Sequence, residues 1–200
     1  MKKSQAFLFA LFLTFSLAPC AFAASYAIDA DHTTVSFKIR HLFSNVQGTF
    51  KQFEGSFDYE PGKPDQASAQ AVIKTASIDT NVEGRDKHLR SADFFDAEKC
   101  PDMSFKSTKF AEDSAESGRL EGVLTLHGVE KPVILDVQMH GAGSDPWGNT
   151  RAGFTATTKI NRKDFGLNWN KTVEAGQLLV GEEVLITLEV EGIFKKEAKA

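Results

Sequence analysis

From about residue 33 onward, apolar and polar residues alternate with a period of two along most of the chain. Val35, Phe37 and Ile39 alternate with Ser36, Lys38 and Arg40, and Leu120, Leu124 and Leu126 share a parity opposite Glu121 and Thr125. Val133, Leu135, Val137 and Met139 run against Asp136, Gln138 and His140, and Phe154, Ala156 and Ile160 against Thr155, Thr157 and Lys159. Near the C-terminus Val184, Ile186, Leu188 and Val190 stand opposite Thr187, Glu189 and Glu191. Successive side chains of a strand point to opposite faces, so this pattern predicts half-buried strands and not helices. Weaker segments at 49–59, 68–76 and 103–110 bring the expected number to about eight.

Turn chemistry separates the strands. Glu60-Pro61-Gly62-Lys63-Pro64, His127-Gly128 with the residues up to Pro132, and Asp145-Pro146-Trp147-Gly148-Asn149 all lie between alternating runs. Connections this short favour antiparallel neighbours. One segment breaks the period: Thr80-x-x-Glu83 has the form of a capping box, and Glu83–Lys87 and Asp86–Arg90 are opposite charges at i,i+4. A short helix over 81–92 is therefore expected, with a further helical turn around 161–166. An all-β fold of eight antiparallel strands has two economical forms, a sandwich and a closed barrel. Periodicity leaves both open, and it equally leaves open a filled core and a ligand cavity.

The first 23 residues alter the composition. Lys2 and Lys3, an apolar run from Ala6 to Leu17, and Ala21-Phe22-Ala23 have the form of a secretory signal peptide, too short to span a bilayer. Cleavage after Ala23 leaves one domain over 24–200, exported to the periplasm. It also removes both lysines and no acid, leaving 21 basic against 27 acidic residues. Five of the 17 phenylalanines leave with it, as does Cys20, so Cys100 has no partner for an intramolecular disulfide. An acidic chain without a basic-aromatic stripe points away from nucleic acid.

Candidate chemistry is sparse. His32, His41, His88, His127 and His140 show no metal-ligand spacing, so no metal or cofactor is expected. Asp86, His88 and Ser91 lie within one helical stretch, but residues two apart face different sides of a helix. No G-x-S-x-G, G-x-G-x-x-G or P-loop occurs.

Six stretches in order carry a family resemblance: Ile28-Asp29-x-x-His32-x-x-Val35-x-Phe37-x-Ile39-Arg40-His41-Leu42; Gly48-x-Phe50-x-x-Phe53-x-Gly55; Arg85-Asp86-Lys87-His88-Leu89-Arg90-Ser91-x-Asp93-Phe94-Phe95-Asp96; Leu124-Thr125-Leu126-His127-Gly128-Val129-x-Lys131-Pro132-Val133; Asn161-Arg162-x-Asp164-Phe165-Gly166-Leu167; and Val180-Gly181-x-x-Val184. Together they resemble the YceI-like family of periplasmic lipid-binding proteins, from about Tyr26 to Phe194. The resemblance implies an extended, lipocalin-like, eight-stranded antiparallel β-barrel enclosing a tunnel for an isoprenoid lipid, such as an isoprenoid quinone or a polyprenyl phosphate. Members of that family are often dimeric, which makes a homodimer a candidate state, and transient membrane contact is a candidate interaction for a lipid binder. Cys100 departs from the family pattern, in which an aromatic commonly precedes the proline.

Under that reading parity assigns Phe37, Ile39, Phe53, Leu124, Leu135, Val137, Phe154, Val184, Ile186 and Leu188 to the tunnel wall. Arg85, His88, Arg90 and Trp169 are the candidates for a headgroup at the mouth. The expected function is binding or transport of the lipid without catalysis. Two alternatives use the same residues differently: an enzyme acting on a lipid headgroup through His88 with Asp86 or Asp93, and an interaction module for a membrane redox or envelope-stress partner.

Overall fold

The alternating segments form a single antiparallel sheet of eleven strands in a computed structural model, which describes residues 24–172 and 178–195. The strands are β1 (Ser25–Ile28), β2 (Thr34–His41), β3 (Ser44–Phe50), β4 (Phe53–Asp58), β5 (Ser68–Lys74) and β6 (Ile78–Asp79). They continue with β7 (Asp102–Ser114), β8 (Ser117–Leu126), β9 (Val129–Ser144), β10 (Thr150–Asn161) and β11 (Val180–Phe194). Eight of them, β1-β4-β5-β7-β8-β9-β10-β11, form a ring that closes when β1 pairs with β11, Tyr26 opposite Phe194. Over the described residues the fold is therefore a closed eight-stranded antiparallel barrel with one short α-helix, as the resemblance implied. The predicted signal segment lies outside the described residues.

Three ribbons break at interruptions: β1/β2 at 29–33, β3/β4 at 51–52, and β5/β6 at the 3₁₀ turn Thr75–Ser77. Beyond the breaks β2, β3 and β6 continue the sheet from β11. Helix α1 (Glu83–Arg90) and the chain up to Pro101 connect β6 to β7. Thr75, fully buried, ties this connection to the wall: its hydroxyl donates to the carbonyls of Cys100 at 2.8 Å and Pro101 at 2.9 Å. Cys100 is half-buried with a free thiol, and its backbone makes the tie.

The helix forms two residues later than expected and for a different reason. Its N-cap is Val82, without a side-chain capping bond, so the Thr80–Glu83 capping box does not form. Thr80 is held instead by Asp86, whose Oδ1 accepts from the Thr80 amide at 2.9 Å and from its hydroxyl. That commits Asp86, 6% exposed, to a buried polar knot, and the expected Asp86–Arg90 and Glu83–Lys87 ion pairs are not made. The turn after Ile160 does form: 3₁₀ residues Arg162–Phe165, with Asn161 accepting from the Lys163 amide and Gly166 ending it at φ +78°. His127 and Gly128 both take positive φ, 53° and 74°, as a two-residue type I′ hairpin between β8 and β9 requires.

Bulges change parity within strands. Phe154 pairs with Met139 and Gly153 with Gly141, so His140 is an extra residue on β9. A second shift near Thr108 carries β7 from odd inward residues, Met103 and Phe105, to Phe110.

Candidate functional site

The inward faces do not meet to fill the barrel. They enclose a cavity of about 330 Å³ with an almost wholly hydrocarbon wall. Voids in ordinary cores are few and scarcely larger than a water molecule, whereas ligand sites run from about 300 Å³ upward. The barrel interior is therefore built as a site and not as a packed core. Along β11 the wall extends from Val184 to Val190, about 20 Å at 3.3 Å per residue.

Glycines placed under aromatic rings help an aromatic-rich barrel keep this space. The rings of Phe37, Phe57, Phe105 and Phe110 lie against Gly48, Gly192, Gly122 and Gly118, close enough that a Cβ on each glycine would approach ring carbons to 2.4–2.5 Å. With no side chain beneath them, the rings of Phe37 and Phe105 settle over the wall of the main cavity, while Phe57 belongs to the stop at one end and Phe110 lines the smaller pocket. At one end the lumen is stopped by Tyr26 stacked on Phe57 at 5.1 Å, with Phe154 meeting Phe57 edge-on at 5.1 Å. Beyond Phe57, Leu120 and Phe154 is a separate pocket of about 60 Å³.

Phe37, Ile39, Phe53, Leu124, Leu135, Phe154, Val184, Ile186 and Leu188 all line the main cavity. Val137 has the expected parity but the wrong height: it faces the small pocket beyond the aromatic stop. The wall also contains side chains that the strand pattern does not single out, among them Phe50, Leu89, Phe95, Met103, Phe105 and Leu167. Alternation at 103–105 was available as a signal. Leu89, Phe95 and Leu167 lie on irregular chain or the helix and had none.

The titratable members of the wall, His41, Arg85, His88 and Arg162, gather with Trp169 at the helix end. His88 Nε2 lies 2.8 Å from Asp93 Oδ2, and its ring packs edge-on against Phe94 and Trp169, centroids 5.0 and 4.9 Å away. Lys171 Nζ lies 5.9 Å over the Trp169 ring. Arg85 donates through Nε and Nη2 to the hydroxyl and carbonyl of Thr80, both at 2.7 Å. Arg90 is not part of this mouth. Its guanidinium donates to the carbonyls of Ala76 at 2.7 Å and Ile78 at 2.8 Å, groups freed where β5 and β6 break, and so pins the helix. Asp86, spent on Thr80, is likewise unavailable to His88.

Arg162 is the member that sequence reasoning passed over. It is 3% exposed, and it donates through Nε to the Gly181 carbonyl at 2.8 Å and through Nη1 to the Leu167 carbonyl. Its Nη2 has no partner, the single such buried side-chain nitrogen or oxygen among the described residues. Burial pushes its pKa down from the ordinary guanidinium value, with Glu182 pulling the other way, yet an arginine remains charged. Glu182 itself is bonded to Lys163 at 2.6 Å.

One cluster with metal-ligand chemistry occurs among the described residues: Asp29, His32 and Glu191. A guanidinium already serves it. Arg151 bonds Asp29 at 2.7 Å and Glu191 at 2.5 Å through Nη1, and Asp145 at 2.8 Å through Nε. These contacts hold the carboxyls of Asp29 and Asp145 below the usual range and raise the Arg151 pKa.

Comparison with known proteins agrees with this architecture. A UPF0312 protein of Pseudomonas putida is 41% identical over 179 residues, covering 88% of this chain and 90% of that protein. A relative from Photorhabdus laumondii is 43% identical over 182 residues, 90% of this chain and 91% of that one. The crystal structure of the Campylobacter jejuni YceI protein superposes with a TM-score of 0.69 at 33% identity, over 78% of this chain and 90% of that one. A polyisoprenoid binding domain from Saccharophagus degradans shares the fold at a TM-score of 0.59 and 16% identity, over 86% of this chain and 99% of that domain. The family model described as the YceI-like domain matches residues 26–192, and the chain belongs to that family.

Proposed function

We propose that this protein binds an isoprenoid lipid in its barrel, as a periplasmic carrier or store and without catalysis. The observation that carries the reading is the cavity of about 330 Å³ with its hydrocarbon wall. Hydrocarbon transfer alone provides binding energy, at about 0.8 kcal/mol per buried CH₂, so a long isoprenoid tail needs few polar contacts. Shape favours a chain over a compact ligand, because a volume of about 330 Å³ is spread along about 20 Å of wall. The Saccharophagus degradans neighbour, a polyisoprenoid binding domain, supports a polyisoprenoid as the class, whether quinone or polyprenyl phosphate. Periplasmic export rests on the form of residues 1–23.

Loading such a ligand calls for a transient approach to a bilayer. Phe43, 90% exposed on the β2–β3 hairpin, is an apolar group offered beside the cavity, where the Leu42 amide donates to the carbonyl of Leu179, a wall residue. The test is direct. The protein is purified from bacterial periplasm, extracted with organic solvent, and the extract is analysed by mass spectrometry. An isoprenoid in stoichiometric amount is expected; neither a bound lipid nor uptake of added polyprenol or quinone would refute the reading.

A further inference from the structure

We propose that Arg162 is the headgroup anchor of this tunnel: its unbonded Nη2 holds an oxyanion of the ligand, just inside the helix end, with the tail directed toward Phe57 and Phe154. The inference rests on the lipid-binding reading and specifies the chemistry of the head.

Burying a guanidinium in a hydrocarbon wall is costly unless its donors and its charge are answered. The protein answers part of this. Two backbone carbonyls take Nε and Nη1 and fix the plane of the group, but carbonyls carry no charge, and Nη2 is left with both N–H bonds unused. The neighbouring guanidiniums are not buried to the same degree, and each is tied by two of its nitrogens: Arg85 to Thr80, and Arg90 to Ala76 and Ile78. Among the described residues, Arg162 alone has a buried side-chain nitrogen without a partner, and the residue lines the cavity.

The remainder of the wall selects the sign of the partner. Arg85, Arg162 and two histidines line the cavity, and no aspartate or glutamate among the described residues does. A neutral carbonyl would satisfy the N–H bonds but not the charge, whereas a phosphate or carboxylate oxygen satisfies both. The position also sets polarity along the barrel. Arg162 follows β10 and bonds Gly181 at the start of β11, while Phe154 and Val190 pair with each other roughly 25 Å or more away along those strands. A tail leaving the anchor therefore runs the length of the apolar wall.

The test compares two ligands with one tail, geranylgeranyl phosphate and geranylgeraniol, titrated calorimetrically into lipid-stripped protein. Wild type is expected to bind the phosphate about 10- to 100-fold more tightly, the worth of charge-assisted hydrogen bonds. In Arg162→Met that ratio is expected to fall to about one, with Arg162→Lys retaining part of it as a point charge. Equal binding of the two ligands by wild type overturns the anchor while leaving the lipid-binding reading intact, and this measurement needs no variant to fold. An unchanged ratio in a folded Arg162→Met overturns it as well. Inorganic phosphate binding as tightly as geranylgeranyl phosphate would overturn a lipid head in favour of a free-anion site. Failure of both lipids to bind would remove the lipid-binding reading itself, and the anchor with it.

Discussion

Replacing Gly48 by alanine tests whether a glycine under an aromatic ring helps keep the barrel hollow. Gly48 on β3 is in register with Phe37 on β2, and a Cβ there would lie 2.5 Å from Cζ and 2.6 Å from Cε1 of that ring, with Thr80 Cγ2 at 2.8 Å. Ordinary contact begins near 3.4 Å, so the ring must withdraw by about 0.9 Å. Phe50 stands on one side at a centroid distance of 5.9 Å, which leaves the lumen as the direction of escape. Overpacking of this kind costs about 1–3 kcal/mol, partly offset by the roughly 0.5–1 kcal/mol gained when a strand glycine becomes alanine. At about 2–4 °C per kcal/mol for a domain of this size, Tm should fall by several degrees. If the displaced ring excludes one or two methylenes of tail, the Kd for geranylgeraniol rises about 4- to 15-fold.

The cycle with Phe37→Ala isolates the cause. Once the ring is gone, the methyl added at position 48 no longer meets it, so the two substitutions should couple by about 1 kcal/mol or more, the double mutant being more stable than additivity allows. Calorimetric Tm and titration of geranylgeraniol across the four proteins provide both readouts. Unchanged Tm and Kd in Gly48→Ala, or an additive cycle, would refute the reasoning.

Other substitutions probe separate parts of the design. Gly84 sits in α1 with nothing within 4 Å of where a methyl would stand, so Gly84→Ala should stabilise by about 0.5–1 kcal/mol, seen as a raised Tm. Because Arg151 depresses the folded pKa of Asp29 and Asp145, their contribution is complete above the unfolded value near pH 4 and is lost as pH falls through the lower folded values. Urea unfolding below about pH 4 should therefore show a steep loss of stability that Arg151→Met flattens; parallel acid profiles would contradict it. Phe154→Ala should cost about 3–5 kcal/mol in denaturant unfolding. It also opens the stop between the cavity and the pocket beyond, shifting preference toward longer polyprenols in competition binding.

What could be read from the sequence follows from what periodicity measures. Parity reports the face of a strand, and Phe37, Leu124, Ile186 and their neighbours were legible because one face of each strand is apolar throughout. Parity does not report height along the barrel, which is why Val137 falls beyond the aromatic stop although Leu135 does not. The helix was legible in place but not in its bonds. Spacing at i,i+4 sees partners along one helix only, whereas Asp86 and Arg90 are taken by Thr80 and by the carbonyls at the β5–β6 break. Arg162 was invisible for a related reason. In Asn161-Arg162-Lys163-Asp164 it reads as one more surface charge, and only the convergence of the Gly181 and Leu167 carbonyls draws it inside.

The size of the cavity bears on how a ligand would leave. By the coefficient of about 24 cal/mol per Å³ found for cavities left by core truncation, 330 Å³ corresponds to roughly 8 kcal/mol of packing not made. A domain's whole stability is about 5–15 kcal/mol. A barrel standing empty is thus short of packing on the scale of its own stability, and occupancy should be strongly linked to folding. With free lipid at about 100 times Kd the linkage amounts to some 2.7 kcal/mol, or about 5–11 °C in Tm. Lipid-stripped protein should therefore melt lower than the loaded form by that order, and added geranylgeraniol should restore the difference. Equal melting at saturating lipid would mean that the lipid has no preference for the folded barrel over the unfolded chain, and would count against the lipid-binding reading. The linked result makes replacement of one occupant by another a lower-energy route than emptying, in keeping with the proposed approach of the exposed Phe43 to a bilayer.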